Sequence, residues 1–179
     1  NGVYSANEYL TRINLMKAYR DDYATPVQYG KNVLVVGGGN VAMDAARSAI
    51  RMGAEKVRVI YRRSRDEMPA RAEEIEHAIE EGVEFIFLAA PVELLENEKG
   101  WVNKAMCIKM ELGEPDKSGR RSPSAIEGSE FMIDTDCVVM ALGTSPNPII
   151  NVSTPGLSTN RKGCIITEEM TGATTREGV

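Results

Sequence analysis

An α/β fold in three layers is predicted: a central parallel sheet, helices on one face and a small antiparallel β-meander on the other. Three observations predict it. Between residues 32 and 91, short β-branched runs alternate with helical periods. From residue 91 to 136 no long helical period occurs, and short strand-like runs are separated by turn residues. A further apolar run, "CVVMALG" at residues 137–143, then returns to the pattern of the first half.

The 179 residues suffice for one domain with its own core, or for one domain plus connecting segments of a neighbour. Hydrophobic residues make up 42% and charged residues 26%, the balance of an ordinary soluble globular protein. No apolar run approaches the roughly 18–20 residues needed to cross a bilayer, and no signal peptide precedes the first periodic segment. Cys107, Cys137 and Cys164 show neither metal-ligand spacing nor a Cys-x-x-Cys pair. Inert thiols in a reducing cytoplasm are therefore expected, with no metal site and no membrane contact. A net charge of −5 argues against a general nucleic-acid binder, although "YRRSR" at residues 61–65 is a local basic patch. The chain begins at Asn1 without a methionine and stops at "TTREGV", and both ends read as cut from a longer protein.

Each element has its own signal. "SANEYLTRINLMKAY" reads as a helix, with Ser5 as N-cap, Glu8 three residues on, and Leu10 and Ile13 continuing the spacing. Pro26 and Gly30 break the pattern and mark a connector. "NVLVVGGG" is a continuous β-branched run of the kind buried on both faces of a parallel sheet. "NVAMDAARSAIRMGA" is helical, alanine-rich on its inner face and closed by Gly53. "KVRVIYRR" alternates as a second strand. "MPARAEEIEHAIEEG" has Pro69 near a helix start, acidic early turns and Gly82 at its end. "VEFIFLAAP" is a third buried strand, completing a doubly wound half with right-handed crossovers. The meander comprises "VELLENE", "WVNKAMCIKMEL" and "EFMID", and the turn-rich tail carries one short strand, "GCIIT".

Three glycines between a strand and a helix make either a tight turn or a seat for a diphosphate. A diphosphate needs clustered N–H donors, a positive helix end and backbone that can come close. Gly37, Gly39 and Ala42 give the G-x-G-x-x-A spacing in that context. A second strand ends about 25 residues on, which favours the seat. Gly37 then permits the sharp turn, Gly39 lets phosphates approach, and Ala42 lets the helix pack on the strand. An acidic residue at the end of the second strand would bind a ribose 2′-hydroxyl. Arg62 and Arg63 stand there instead, with no carboxylate until Asp66. Guanidinium forks bind a 2′-phosphate with charge-assisted hydrogen bonds, so NADP(H) is favoured over NAD(H).

"MALGTSPNP" ends a buried strand at the same carboxyl edge, making Ala141 and Gly143 candidate contacts. The expected cofactor-binding residues are Gly37, Gly38, Gly39, Asn40, Val41, Arg62, Arg63, Arg71, Ala141 and Gly143. Whether Arg65 and Arg71 contribute is left to geometry. Catalytic side chains are not expected: His77 sits on the acidic helix, Asp44 reads as structural, and no Ser/His/Asp or Cys/His set occurs. Hydride transfer suits that poverty, because the cofactor carries the chemistry and the protein positions it.

"SANEYLTRINLM", "VVGGGNVAMDAARSAIRMGAEKVRVIYRRSRDEMPA" and "ALGTSPNP" together resemble the small (β) subunits of bacterial NADPH-dependent glutamate synthases. The flavoprotein subunit of NADH-dependent ferredoxin:NADP oxidoreductase and part of dihydropyrimidine dehydrogenase share the module. The resemblance implies a Rossmann-like FAD/NAD(P)-binding fold, with the nucleotide domain inserted into an FAD domain. Residues 1–30 would then be helix and connector from the flanking FAD domain, 31–145 the NADP(H)-binding domain, and 146–179 the return connection. It matches Gly37, Gly39 and Asn40 to the diphosphate loop, Arg62 and Arg63 to the 2′-phosphate site, and residues 141–143 to a second glycine strand end. FAD and iron–sulfur clusters would lie outside this stretch, and no family redox disulfide is matched.

The implied activity is delivery of hydride from NADPH to FAD, with a large (α) subunit making glutamate from glutamine and 2-oxoglutarate. Two rivals stay open: a ferredoxin-linked transhydrogenase subunit, told apart by its partner, and a non-catalytic NADPH-sensing module. FAD and cysteine motifs beyond the two ends would favour an enzyme over the sensor. On the glutamate synthase resemblance, the purified chain is expected to be colourless and inactive as a reductase. Copurified flavin together with NADPH-driven dye reduction would contradict it.

Overall fold

β-Branched runs build the central layer. The computed structural model describes residues 1–115 and 119–179. Its strands β1 (Val3–Ser5), β2 (Asn32–Val36), β3 (Lys56–Tyr61), β4 (Glu84–Phe87) and β9 (Cys137–Met140) form a five-stranded sheet in the order β1-β9-β2-β3-β4. All four pairings are parallel. Such a sheet needs crossovers, and α2 (Asn40–Arg51) and α3 (Ala72–Glu80) supply them.

Period-two alternation divides the apolar residues between two cores. Val33, Val35, Val57, Val59 and Val139 face the helices, packing on Ala42, Ala45, Ala46 and Ala49 of α2. Leu34, Val36, Ile60 and Val138 face the other way, onto Ala89, Val102, Ala105, Cys107 and Ile133. Those last residues belong to the meander: β5 (Ala89–Glu96), β6 (Val102–Pro115), β7 (Arg121–Ala125) and β8 (Phe131–Asp134). The long β6 pairs antiparallel with each of the other three. The three-layer arrangement is thus the one expected.

Several local expectations need correction. The first helix, α1 (Ala6–Leu10), does take Ser5 as its N-cap, with the Glu8 N–H donating to Ser5 Oγ at 3.2 Å. It is only five residues long and continues as a wider π-type turn, Thr11–Leu15. Three residues before it form β1, too short to read as a strand but paired with β9. Residues 1–30 lie within the first compact unit, with Tyr9 and Ile13 in the helix-side core. The third strand stops at Phe87 rather than running to Pro91. Leu88 adopts φ +51°, and the chain leaves the parallel sheet for β5 there. In the segment expected as turns, β7 pairs with the second half of β6.

By its contacts the chain divides into two units, Asn1–Leu142 and Gly143–Val179. The second contains α4 (Pro148–Ser153), which the sequence reading missed beneath turn-rich composition. Asn147 caps it, its Oδ1 accepting from the Ile149 N–H at 3.0 Å, and Pro148 opens it. The expected "GCIIT" strand is reduced to two isolated bridges, Thr159 to Ile165 and Thr167 to Thr174. Asn160 Oδ1 accepts from the N–H groups of Lys162 and Cys164, curling the chain into a turn.

An ionic network ties α2 to α3. Arg47 bonds Glu81 and Glu74 at 2.9 and 2.8 Å, and Arg51 bonds Glu81 at 2.7 Å. The bond from Arg51, then those from Arg47, outweigh partial desolvation and hold the Glu81 carboxyl below the usual range. A carboxyl depressed by folding stabilises the fold above its unfolded pKa and loses that contribution as pH falls through the folded value. Glu81→Gln is therefore expected to cost about 1 kcal/mol at neutral pH. The deficit should narrow on acidification to pH ~3. Urea unfolding at both pH values checks this; an unchanged deficit would contradict the pairing.

Candidate functional site

A parallel sheet collects its strand ends on one edge, and α2 starts there. Val36 is in register with Ile60 of β3 and Met140 of β9, and Gly37 follows it directly. The Gly37 N–H donates to the Ile60 carbonyl at 3.1 Å, and the Ala141 N–H to the Val36 carbonyl at 2.8 Å.

The three glycines have three different reasons. Gly37 sits at φ +143°, and a Cβ there would lie 2.4 Å from the Ala141 carbonyl oxygen. A Cβ on Gly38 would lie 2.7 Å from the Tyr61 ring. At Gly39 the nearest atom to a Cβ would be Pro69 Cγ at 4.0 Å, and φ −93° with ψ 176° suits any residue. Protein packing requires the first two glycines and leaves the third facing open space.

Gly39 is also the N-cap of the 12-residue α2, and it offers no side-chain cap. The Ala42 and Met43 N–H groups turn back to the Gly39 carbonyl at 2.9 and 3.2 Å. Among the described residues, the N–H groups of Gly39, Asn40 and Val41 meet no protein acceptor. These are the orphan donors of a helix start, at the positive end of its dipole. Val41 lies exposed beside them. The site can therefore hold an anion by backbone alone.

The turn after β3 closes over this loop. The Ala70 N–H donates to the Gly38 carbonyl at 3.1 Å, and the Arg71 N–H to Asn40 Oδ1 at 2.9 Å. Asn40 thus holds the turn with its side chain, and Arg71 contributes its backbone as the N-cap of α3 while its side chain stays exposed. Arg62 and Arg65 are exposed. Arg63 is 6% exposed, and its Nε donates to the Arg121 carbonyl at 2.8 Å. The two arginines expected as a pair are therefore separated: one faces solvent, and the other is anchored to the meander. Ala141 sits at the end of β9 against Gly37. Gly143 instead opens the second unit, at φ +91°.

Sequence reasoning missed the turn's internal supports. The Tyr61 hydroxyl donates to the Glu67 carbonyl at 2.9 Å. Glu67 Oε2 accepts from the Ser64 N–H and Oγ at 3.0 and 2.8 Å, a capping box whose Ser-x-x-Glu spacing was readable. Arg121 Nε donates to Glu67 Oε1 at 2.7 Å, a long-range contact with no local signal. Partial desolvation raises the Glu67 pKa, but Ser64 and Arg121 more than offset it and hold the carboxyl below its usual range.

A family model described as "Pyridine nucleotide-disulphide oxidoreductase" matches residues 5–179. The chain belongs to that oxidoreductase family. It is 47% identical to the beta subunit of an NADP(+)-dependent formate dehydrogenase from Moorella thermoacetica, over 86% of the chain and 21% of that protein. It is 39% identical to the glutamate synthase [NADPH] small chain of Azospirillum brasilense, over 99% of the chain and 37% of that protein. The chain thus spans between about a fifth and two fifths of these relatives. Thioredoxin reductase of T. acidophilum shares the fold, with a TM-score of 0.66 at 17% identity over 99% of the chain and 47% of that structure.

The cysteines of this family member are placed apart. Cys137 lies in the helix-side core and Cys107 in the meander-side core, on opposite faces of the sheet. Burial pushes their thiols up to about 12 and about 11, so both stay protonated. Cys164 is exposed in the second unit. His77 and Asp44 are exposed on their helices. Among the described residues no acidic, histidine and cysteine side chains cluster as metal ligands, and no helix is long and apolar enough to cross a membrane.

The glycine geometry separates folding from ligand access. Gly37→Ala and Gly38→Ala are expected to lower stability by about 2–4 kcal/mol, through strain and overlap. Gly39→Ala should stay within about 0.5 kcal/mol of wild type. Denaturant midpoints of the three variants decide it, and a large loss at Gly39 would contradict the open face.

Proposed function

We propose that the first unit binds NADP(H) and holds NADPH for hydride transfer to an FAD carried by parts of the protein outside this stretch. The observation that carries the reading is the uncapped start of α2 above the open face of Gly39, flanked by a basic turn. The donor set fits a dinucleotide. The N–H groups of Gly39, Asn40 and Val41 would hold the diphosphate. The exposed Arg62, with Arg65 on the same turn, would meet the 2′-phosphate. Of the two acids in the turn after β3, Glu67 is engaged by Ser64 and Arg121, and Asp66 is exposed beside it. When bound, the nicotinamide supplies the hydride; the chain's own groups bind, orient and leave no side chain between backbone and phosphate.

The names of relatives support a shared nucleotide step with different acceptors. They include an NADP(+)-dependent formate dehydrogenase subunit, an NADPH-Fe(3+) oxidoreductase subunit and glutamate synthase [NADPH] small chains. Glutamate synthase small chains align over 78% to 99% of this chain, the other two over 86% and 80%. The two glutamate synthase small chains that reach 99% of this chain support a glutamate-forming assembly with a large subunit, and iron–sulfur clusters carrying electrons onward. A ferredoxin-linked transhydrogenase would use the same nucleotide site, and the partner of the full-length protein distinguishes them.

Because only one arginine of the Arg62–Arg63 pair is open, NADPH is expected to bind tighter than NADH by about 1–2 kcal/mol, or about 5- to 30-fold. Arg62→Ala should remove most of that preference and leave NADH affinity nearly unchanged. Titration calorimetry on both proteins tests it. Equal affinities in wild type would defeat the 2′-phosphate assignment, and equal losses for both cofactors in the variant would assign Arg62 to structure.

A further inference from the structure

An acidic residue is built into the turn that carries the exposed arginines. Glu67 lies three residues after Ser64, in the 3-10 turn Arg65–Glu67, and its side chain is 16% exposed. One carboxylate oxygen is taken by Ser64, and the other faces Arg121 of β7 at 2.7 Å. Arg121 reaches the same turn a second time, because its carbonyl accepts from Arg63 Nε at 2.8 Å. The Leu88 N–H fixes Arg63 from the other side, donating to its carbonyl at 3.1 Å. The meander is thereby bonded to both ends of the turn, at Arg63 and at Glu67.

We propose that Arg121 is a positioning residue for 2′-phosphate recognition, fixing the turn after β3 and neutralising the carboxylate within it. The proposal rests on the NADP(H) reading above. Without its cation, the Glu67 carboxylate would stand bare beside the exposed Asp66, doubling the uncompensated negative charge in the turn that presents Arg62 and Arg65. A bare carboxylate there repels a phosphate dianion, and it offers an acceptor for a ribose hydroxyl, the arrangement that suits NAD(H). The Ser64 bonds alone do not remove that charge, since a hydroxyl and an amide N–H are neutral. Arg121 supplies the missing positive charge from a strand 54 residues away in sequence. It remains 43% exposed, so the pair acts through placement and charge balance more than through stability.

The test is titration calorimetry with NADPH and NADH on wild type, Arg121→Ala and the double variant Glu67→Gln/Arg121→Ala, alongside a melting curve for each. Arg121→Ala is expected to weaken NADPH about fivefold or more while NADH affinity holds or rises. The double variant should recover NADPH to within about twofold of wild type, because the bare charge is gone. A role confined to structure predicts no such recovery. NADPH affinity unchanged in Arg121→Ala, equal weakening of both cofactors, or a double variant as weak as the single would each overturn the proposal. If wild type itself binds the two cofactors equally, the NADP(H) reading falls, and that result is separate from these.

Discussion

The ends of β2 and β9 meet with no room for a side chain between them, and the rest of the site depends on that contact. Gly37 turns the chain at φ +143° with the Ala141 carbonyl where its Cβ would be. Because the turn is made there, α2 begins three residues later, above the sheet edge, with Gly39 as its bare N-cap. A bulkier residue at 37 would move the helix start and with it the orphan N–H groups. The parallel sheet thus does more than house a core. It also sets where a positive helix end points.

The second component is the turn after β3, whose residues have separate surroundings. Tyr61 faces the glycine loop, where its ring excludes a side chain at Gly38. Arg63 is buried and bonded to the meander, while Arg62 between them is exposed. The meander therefore has a part in the site that its distance in sequence conceals. It covers one face of the sheet, and through Arg121 it also fixes both ends of the basic turn.

Much of this was legible in the sequence where the signal is local. Runs such as Asn32–Val36 and Cys137–Met140 are apolar on both faces, and that pattern identifies a covered parallel sheet. The glycine triplet announced its turn because G-x-G-x-x-A is a contiguous backbone requirement. The unread parts depend on partners distant in sequence. β1 is a strand only because β9 lies beside it, and Leu88 turns out of the sheet because Arg63 and Met110 hold its backbone. Likewise "RR" looks like a pair, yet only the meander decides which arginine is covered. The isoleucines of "GCIIT" carry a strand-like pattern, but Ile165 and Ile166 stay 39% and 46% exposed for want of a sheet to join.

The two components differ in how they would bind, and that difference has a consequence. The N–H groups at Gly39, Asn40 and Val41 are fixed by the fold before any ligand arrives, so holding a diphosphate requires little further ordering. Arg62 is exposed, and its long side chain would lose rotamer freedom on meeting a phosphate. On the proposed reading, the backbone seat supplies affinity common to both nicotinamide cofactors, and the side chains of one turn supply the difference. Selectivity then resides in few residues whose supports lie elsewhere, so it can change with little cost to the fold. Affinity resides in glycines that packing forbids to change, except at Gly39, where the ligand itself would be the constraint.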